Sequence, residues 1–301
     1  MTNPISLDAW SQQNKVQSPV LAMNGNSAWA QRYSQELREV VVRYADRLPR
    51  NVQRHLGPSE LGHLCDRQLV GKMAGVSLGS SGTNNMHDPW ASIVGTAIHA
   101  FLEQAFKWEA ERLIEEVRAT TPPNRLLNID ASIRWFTEKR VTPDPGTVSP
   151  HPGTADLYDA QTFTLNDHKC QSEGVRDKLR RHGPPHHYYM QMLLYAVGYM
   201  HEGFRVDRIC LVSWPRTHST MDDMYVWEHV ITAEDMAAVA YLIEKTQIRE
   251  QLAVFVVNKE MDFWQIPATP SEADCQYCPF FRPDAAVNPN VKGCPGTAAA
   301  R

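Results

Sequence analysis

Hydrophobic and polar positions follow two different periods along the chain. Helical spacing of the apolar residues predicts helices over residues 27–48, 59–75, 90–119, 185–203 and 232–257. Short β-prone runs predict strands over residues 131–141, 154–158, 162–169, 206–214 and 224–231. Together these elements predict an α/β protein. In the second predicted helix, Ser59 is the expected N-cap and Cys65 would lie inside the helix.

The composition is that of a soluble globular protein. The 301 residues suffice for one large domain or two ordinary ones, and 43% are hydrophobic while 21% are charged. A net charge of -4 is compatible with nucleic-acid binding if the basic residues line one channel. No segment approaches the roughly 20 apolar residues of a membrane span, and the first ten residues lack a secretion signal. We therefore expect a cytoplasmic protein without membrane contact, whose six cysteines are thiols or metal ligands.

The segment from Gly153 to Lys169 carries the chemistry on which the rest of the interpretation depends. It predicts a β-hairpin with a polar turn at residues 159–161, and it also contains Asp156 and Asp167. Two carboxylates on adjacent strands can bind a divalent cation, and the lysine would lie beside that cation. Such a site can polarise a phosphate and lower the pKa of a bound water, as phosphodiester hydrolysis requires. The alternative is an ordinary surface hairpin.

Four further polar side chains lie on predicted elements outside the hairpin. His99 adjoins the apolar stripe of the helix predicted at 90–119, although a helix histidine is commonly satisfied by a local hydrogen bond. Glu138 lies on the strand before the hairpin. Gln191 and Tyr195 are four residues apart on a predicted helix and face the same way, as residues at the edge of an apolar helix also do.

Basic side chains are densest immediately after the hairpin. The cluster consists of Arg176, Lys178, Arg180 and Arg181. A run of charges is by default a solvated surface. Because this run follows a strand of the predicted phosphodiesterase site, we expect it to form a loop that grips the phosphates of DNA.

Three of the six cysteines are concentrated in the proline-rich tail. Cys275 and Cys278 form a C-x-x-C pair and Cys294 follows. So short a segment cannot build its own core, and the spacing indicates a metal centre. A four-ligand site needs one more residue, and Cys65 is the natural candidate because the remaining two thiols follow or lie within predicted strands. The spacing leaves an iron–sulphur cluster and zinc open.

Together these blocks resemble the RecB-type nucleases of the PD-(D/E)XK superfamily, and within them the iron–sulphur exonucleases of the Cas-four and AddB kind. Six blocks occur in the order of that family. They are S-E-L-G-x-x-C at 59–65, G-T-x-x-H at 95–99, G-T-A-D at 153–156, D-H-K at 167–169, Q-x-x-x-Y at 191–195 and the terminal cysteine group.

The resemblance implies roles for the residues around the hairpin. His99, Asp156 and Asp167, with the backbone carbonyl of His168, would bind Mg²⁺ or Mn²⁺. Lys169 would position or activate the attacking water. One position departs from the superfamily, which often has glutamate where this chain has Asp167.

The resemblance also implies roles outside the hairpin. Gln191 and Tyr195 would contact DNA near the scissile phosphate, and Glu138 would support the site. A 4Fe–4S cluster, with zinc as the alternative, would be held by Cys65, Cys275, Cys278 and Cys294. Fifteen residues separate Cys278 from Cys294, whereas relatives usually have only a few there.

The fold and activity expected from the resemblance follow. The fold would be a restriction-endonuclease-like core, a central mixed β-sheet flanked by helices, at 59–261. An arm and helix at 1–58 would precede it, and an iron–sulphur tail at 262–301 would follow. The activity would be that of a metal-dependent DNA exonuclease that acts on single-stranded ends in recombination or repair, phage DNA metabolism or CRISPR adaptation.

Two other hypotheses about the function stay open. A DNA-binding or adaptor subunit with a non-cutting nuclease fold would keep the architecture, but the full set of acids, histidine and lysine argues against it. A zinc-stapled structural protein would need neither the basic cluster nor the Gln–Tyr helix. The partners expected are DNA and recombination or CRISPR-adaptation proteins, and the sequence leaves the oligomeric state open, homo-oligomers included.

Overall fold

The computed structural model describes residues 28–47, 56–78, 90–122, 133–217, 220–275 and 278–300. Contacts within the chain divide it into two units, residues 1–51 and residues 52–301. The described part of the first unit is helix α1, Ala28–Arg47, close to the predicted bounds. The arm predicted over the first 26 residues lies outside the described ranges.

The second unit combines helices with one mixed sheet. Its described helices are α2 Pro58–Leu61, α3 Asp66–Met73, α4 Trp90–Thr120, α5 Glu173–His182, α6 His186–His201, α7 Ala233–Val257 and α8 Glu272–Cys275. Its strands are β1 Trp135–Val141, β2 Gly153–Asp159, β3 Thr164–Gln171, β4 Arg208–Pro215 and β5 Tyr225–Val230. They lie in the order β1-β2-β3-β4-β5, with β3 and β4 parallel and the other neighbours antiparallel. The predicted α/β class and mixed central sheet are confirmed.

Helices pack on this sheet from several directions. Helix α4 contacts β1 and β3, α5 contacts β5, and α6 contacts the first four strands. Helix α6 is buried without interruption from Met190 to Tyr199, as expected for a helix that is covered on all sides. Gly198 lets it approach β1, since a Cβ there would lie 2.8 Å from Val141 Cγ2. Among the described helices, none combines the length and apolarity needed to cross a bilayer.

The helix predicted over residues 59–75 is wrong, because the structure has two short helices there. Gly57 is the N-cap of α2 and Pro58 occupies its first turn, so Ser59 lies inside this helix. The break falls at Gly62, where a Cβ would lie 3.0 Å from the Cα of His187 on α6. Close packing against α6 therefore interrupts the helix. Cys65 consequently precedes α3 as its N-cap instead of lying within a helix.

The tail packs against α3 and α7 through small apolar clusters. Phe263 and Phe280 pack with two buried cysteines, and Ile266 packs with Val70 and Ala253.

A buried ion pair reinforces this region. Arg249 of α7 is 2% exposed and donates to Asp66 Oδ1 at 2.9 and 2.7 Å. Its guanidinium also donates to the carbonyls of the segment between α2 and α3, so this buried charge is both paired and hydrogen-bonded.

Candidate active site

The predicted hairpin forms β2 and β3, and its carboxylates lie where the two strands separate. The paired register ends at Leu157↔Asn166, and Asp156 is the next residue on β2. Its Oδ2 accepts the backbone N–H of His168 at 2.7 Å, which replaces the missing ladder bond. Its Oδ1 lies 3.5 Å from His99 Nδ1 on α4. The strand separation therefore opens a pocket with a carboxylate fixed at its edge.

Glu138 joins this pocket through an unusual backbone conformation. The pairing of β1 with β2 skips Glu138, whose partner in that register would be Asp156. Glu138 has φ 47°, in the left-handed region that non-glycine residues rarely adopt. Donor atoms of Glu138, Asp156 and His99 all lie within 4.8 Å of one another. Strained residues cluster at functional sites, and this one brings a second carboxylate next to Asp156 and His99.

A second group is centred on Asp167, which is 2% exposed. Lys169 Nζ lies 2.9 Å from Asp167 Oδ1 and 2.7 Å from Oδ2. Gln191 Nε2 of α6 donates to the same Oδ1 at 3.0 Å. Two donors thus fix the orientation of this buried carboxylate, and the lysine neutralises it.

The charges of the pocket shift the pKa values in opposite directions. Burial and repulsion by Asp156 raise the pKa of Asp167 to about 6, although Lys169 opposes this. Burial opposes ionisation of Asp156 as well, but the hydrogen bond from His99 and the charge of Lys169 outweigh it, so the pKa of Asp156 is lowered. For Lys169, burial is outweighed by the two aspartates, which raise its pKa. The lysine is therefore a cation throughout the neutral range.

The structure revises the expected DNA contacts of Gln191 and Tyr195. Both side chains are buried, at 7% and 6% exposure, beneath Asp167. Burial and the negative charge of Asp167 raise the pKa of Tyr195, so the phenol stays neutral. Tyr195 also packs against the start of β2, where a Cβ on Gly153 would lie 2.9 Å from its Cε1. Both side chains therefore lie in the interior, and the Gln191 amide orients Asp167.

The His168 side chain lies in an aromatic pocket that the sequence did not reveal. Its ring stacks on Phe106 of α4 with centroids 5.9 Å apart, and Trp214 Nε1 donates to its Nδ1 at 3.3 Å. Burial lowers the pKa of His168 to about 4, so the ring is uncharged at neutral pH. The predicted metal ligand in this residue was its backbone carbonyl. The side chain instead fixes β3 against α4, which carries His99.

We call the group of His99, Glu138, Asp156, Asp167 and Lys169 the carboxylate site. Glu138, Asp156 and His99 lie within ligand distance of one another, and with Asp167 nearby the donor set consists of hard oxygens and a single nitrogen. Such a set fits Mg²⁺ or Mn²⁺ better than a softer metal. Histidine and both aspartates were predicted from the sequence, and Glu138 was expected only to support them.

The predicted phosphate-gripping loop is wrong, because these residues form helix α5. Arg176 is fully buried, donates to the Gln171 carbonyl at 2.8 Å and pairs with Asp223. Arg176 therefore cannot contact DNA in this conformation. Its partner follows 47 residues later in the chain, on the connection between β4 and β5. Nothing in the local charge pattern indicates this pairing.

The other three basic residues of α5 differ in their availability. Arg180 donates to Asp223 at 2.7 Å and to Asp177 at 3.0 Å, so its charge is already paired. Lys178 and Arg181 are exposed. The Arg181 side chain donates to the Asp177 carbonyl at 3.1 Å, which leaves its positive charge at the surface. Of the predicted basic cluster, Lys178 and Arg181 are therefore exposed cations, and the charge of Arg180 is neutralised by Asp223 and Asp177.

The four cysteines expected to share a metal centre line one small cavity. We call the group the cysteine site: Cys65, Cys275, Cys278 and Cys294. Arg67 donates to Cys294 Sγ at 3.4 Å, and the backbone N–H of Thr269 donates to Cys65 Sγ at 3.5 Å. Burial and the neighbouring thiols raise the pKa of Cys278 to about 11. Four thiols around one cavity fit either a cubane cluster or a zinc ion.

Comparisons with known proteins add only distant likenesses. No family model and no curated protein matches the chain. Among solved structures, SSO0001 is similar with a TM-score of 0.42 and 13% identity over 85% of this chain and 96% of the other. The alkaline exonuclease LHK-Exo from Laribacter hongkongensis gives 0.38 and 12% over 69% and 95%. A phage related exonuclease from Haemophilus somnus gives 0.30 and 12% over 69% and 96%.

Proposed function

We propose that the protein is a divalent-metal-dependent deoxyribonuclease that releases nucleotides from the ends of single-stranded DNA. The observation that carries this proposal is the cluster of His99, Glu138 and Asp156 where β2 and β3 separate, together with the buried Asp167–Lys169 pair whose charges act on Asp156. A structural hairpin has no need of a buried lysine–aspartate pair beside a second, independently fixed aspartate.

In the proposed site, Mg²⁺ or Mn²⁺ would be held by His99, Asp156, Asp167 and the His168 carbonyl, with Glu138 beside them. When bound, the ion would polarise the scissile phosphate and lower the pKa of a coordinated water. The raised pKa of Asp167 fits this assignment, because a cation would relieve the repulsion between the two aspartates.

Lys169 has a defined role in this proposal. Its pKa is raised by the aspartates, so it cannot accept a proton at neutral pH and is unsuited to act as a general base. As a fixed cation it would donate a hydrogen bond to the attacking water or to a phosphate oxygen that gains charge. Asp167 and the Tyr188 ring, whose centroid is 5.0 Å from Nζ, hold the ammonium group in place.

Gln191 and Tyr195 would act indirectly. The amide N–H of Gln191 donates to Asp167, and the Gln191 side chain also interacts with the neutral phenol of Tyr195. This arrangement supports a positioning role beneath the metal ligand. Contacts with the DNA backbone would fall instead to exposed cations such as Lys178 and Arg181, and affinity should decrease with salt.

For the cysteine site we propose a structural 4Fe–4S cluster, with zinc as the alternative. The shared cavity supports a common ligand, and the Arg67 guanidinium at Cys294 supports one with negative charge on its sulphurs. A cluster there would join the start of α3 to the tail, because Cys65 and the three other ligands are far apart in sequence.

The proposed activity is tested with end-labelled linear DNA and a covalently closed single-stranded circle, each incubated with Mn²⁺ or with chelator. We expect nucleotides to be released from the linear strand with Mn²⁺, no release with chelator, and an intact circle. Cleavage of the circle would replace exonuclease by endonuclease. Binding of DNA without cleavage of either substrate would favour the non-cutting subunit over the enzyme.

A further inference from the structure

A second group of metal-ligating side chains lies outside both sites already described. It consists of His63 between α2 and α3, His187 at the start of α6, and Asp274 on α8. Asp274 Oδ1 lies 3.4 Å from His63 Nδ1 and 3.9 Å from His187 Nδ1. All three donor atoms lie within 4.8 Å of one another. Tetrahedral zinc with ligands at about 2.0–2.1 Å would need donor atoms roughly 3.4 Å apart, so the imidazoles would have to turn and close toward Asp274 to share one ion.

The hydrogen bonding of these residues leaves the donor atoms available to a metal. His63 Nδ1 is buried, and its contact with Asp274 lacks hydrogen-bond geometry, so the described residues leave this atom unsatisfied. The two imidazoles stack with centroids 4.8 Å apart and an interplanar angle of 13°, an arrangement that suits uncharged rings. Ser271 Oγ donates to Asp274 Oδ2 at 2.7 Å and orients the carboxylate, as supporting groups do at metal sites.

The surroundings are compatible with a bound cation that solvent can reach. The three side chains are between 19% and 22% exposed, so an ion has a route of entry. Lys72 of α3, whose charge acts on His63, is paired with Glu60 at 2.6 Å, which limits its repulsion of a metal.

We propose that His63, His187 and Asp274 form a zinc site with an open fourth position. Two imidazoles and one carboxylate suit a borderline transition ion better than Mg²⁺, which prefers oxygen ligands. The site would join three segments that the sequence separates widely. It would connect Asp274 in the tail, one residue before Cys275, to α6, the helix that also carries Gln191.

The site also has a route to the carboxylate site through neighbouring rings. The His187 ring meets Tyr188 edge-on with centroids 4.3 Å apart, and Tyr188 lies over Lys169. An ion on His187 would therefore restrict the start of α6 next to the proposed catalytic lysine. The zinc site itself does not depend on the nuclease proposal.

The test is zinc binding by the full-length protein, measured by calorimetry and elemental analysis with excess Mg²⁺ present. We compare the wild type with His187→Ala and with His186→Ala, an exposed neighbouring histidine that serves as the control. We expect the wild type and His186→Ala to bind one zinc more per chain than His187→Ala, or to bind it at least about tenfold more tightly. The same difference should persist in an Asp156→Asn background, which excludes zinc at the carboxylate site.

Asp274→Asn is the second variant, because it preserves the shape of the side chain if His187→Ala folds poorly. Added zinc should raise the melting temperature of the wild type and of His186→Ala by more than that of Asp274→Asn. Zinc held by the cysteines would be present in all variants and cancels in the comparison. Equal zinc stoichiometry and affinity in the wild type, His187→Ala and Asp274→Asn would overturn the proposal.

Discussion

The carboxylate site and the cysteine site are built in opposite ways. In the carboxylate site, strands and long helices hold each charged group, and strong hydrogen bonds connect the groups, such as Lys169 to Asp167. In the cysteine site, the thiols come from the N-cap of α3 and from a tail with little regular structure. Two of these thiols accept weak N–H···S bonds of 3.4 and 3.5 Å.

The fold holds the residues of the carboxylate site in place, whereas we expect a metal bound at the cysteine site to stabilise the fold. The carboxylate site is organised before any metal arrives, so removal of metal should leave the structure intact and stop the reaction. The cysteine site closes the tail onto α3, so removal of its ligand should lower stability. Four mutational experiments test this difference between the two sites.

The largest expected effect comes from Lys169→Met. Loss of the fixed cation should lower the rate of DNA hydrolysis by about 10²–10³-fold, as removal of one charge-stabilising donor does elsewhere. Mn²⁺ binding should persist or tighten, because a nearby positive charge has gone. Lys178→Met, an exposed lysine on α5, is the control and should keep the wild-type rate at saturating DNA. An undiminished rate in Lys169→Met would remove the lysine from the mechanism.

Cys275→Ser should remove a ligand of the cysteine site and thereby lower the stability of the protein. We expect loss of the visible absorbance of an iron–sulphur cluster and a melting temperature lower by about 5 °C or more, since each kcal/mol shifts the midpoint of a large domain by roughly 2–4 °C. Cys170→Ser, which alters a thiol outside the cysteine site, should retain the absorbance. A colourless wild type that contains zinc would replace the cluster by the alternative metal.

Glu138→Gly should move activity and stability in opposite directions. Glycine adopts the positive φ of this position without strain, so the melting temperature should rise by about 2–4 °C for relief of roughly 1 kcal/mol. Loss of the carboxylate should weaken Mn²⁺ binding or activity by about 10–100-fold. Lys139→Gly, one residue along β1, should instead destabilise the protein. A lower melting temperature in Glu138→Gly would show that the backbone there is not strained.

The smallest expected effect concerns DNA affinity. The double substitution Lys178→Ala and Arg181→Ala should weaken single-stranded DNA binding severalfold and reduce the slope of log affinity against log salt by about 1 to 2. The melting temperature should hardly change, because both side chains are exposed. Arg176→Ala should do the reverse, since it leaves Asp223 without its buried partner. An unchanged salt slope in the double variant would place the DNA on another surface.

The elements that the sequence predicts correctly are those whose structure depends on residues close together in the chain. The hairpin between Gly153 and Lys169 is continuous in sequence, and alternation along a strand fixes which side chains share a face. Helical spacing placed His99 and the Gln191–Tyr195 pair on their helices. The mixed sheet was expected from the resemblance and is confirmed. The roles of these residues remain predictions, although the structure brings them together.

The features that the sequence did not predict depend on contacts between segments far apart in the chain. The break at Gly62 follows from the close approach of α6, and the burial of Arg176 follows from Asp223. Both partners are far along the chain, so neither charge density nor periodicity could indicate them. The strained backbone at Glu138 is likewise a property of the sheet, because it occurs where the pairing of β1 with β2 is interrupted.

The central claim is that Asp156 holds a metal on which hydrolysis depends. The most direct test is the initial rate of nucleotide release from single-stranded DNA against Mn²⁺ concentration, for the wild type and for Asp156→Asn. Asparagine can still accept the His168 N–H, so the fold should be retained. We expect a saturable rise with Mn²⁺ in the wild type and a rate at least about 10²-fold lower in Asp156→Asn. Equal rates for the two proteins, or equal rates with and without chelator, would contradict it.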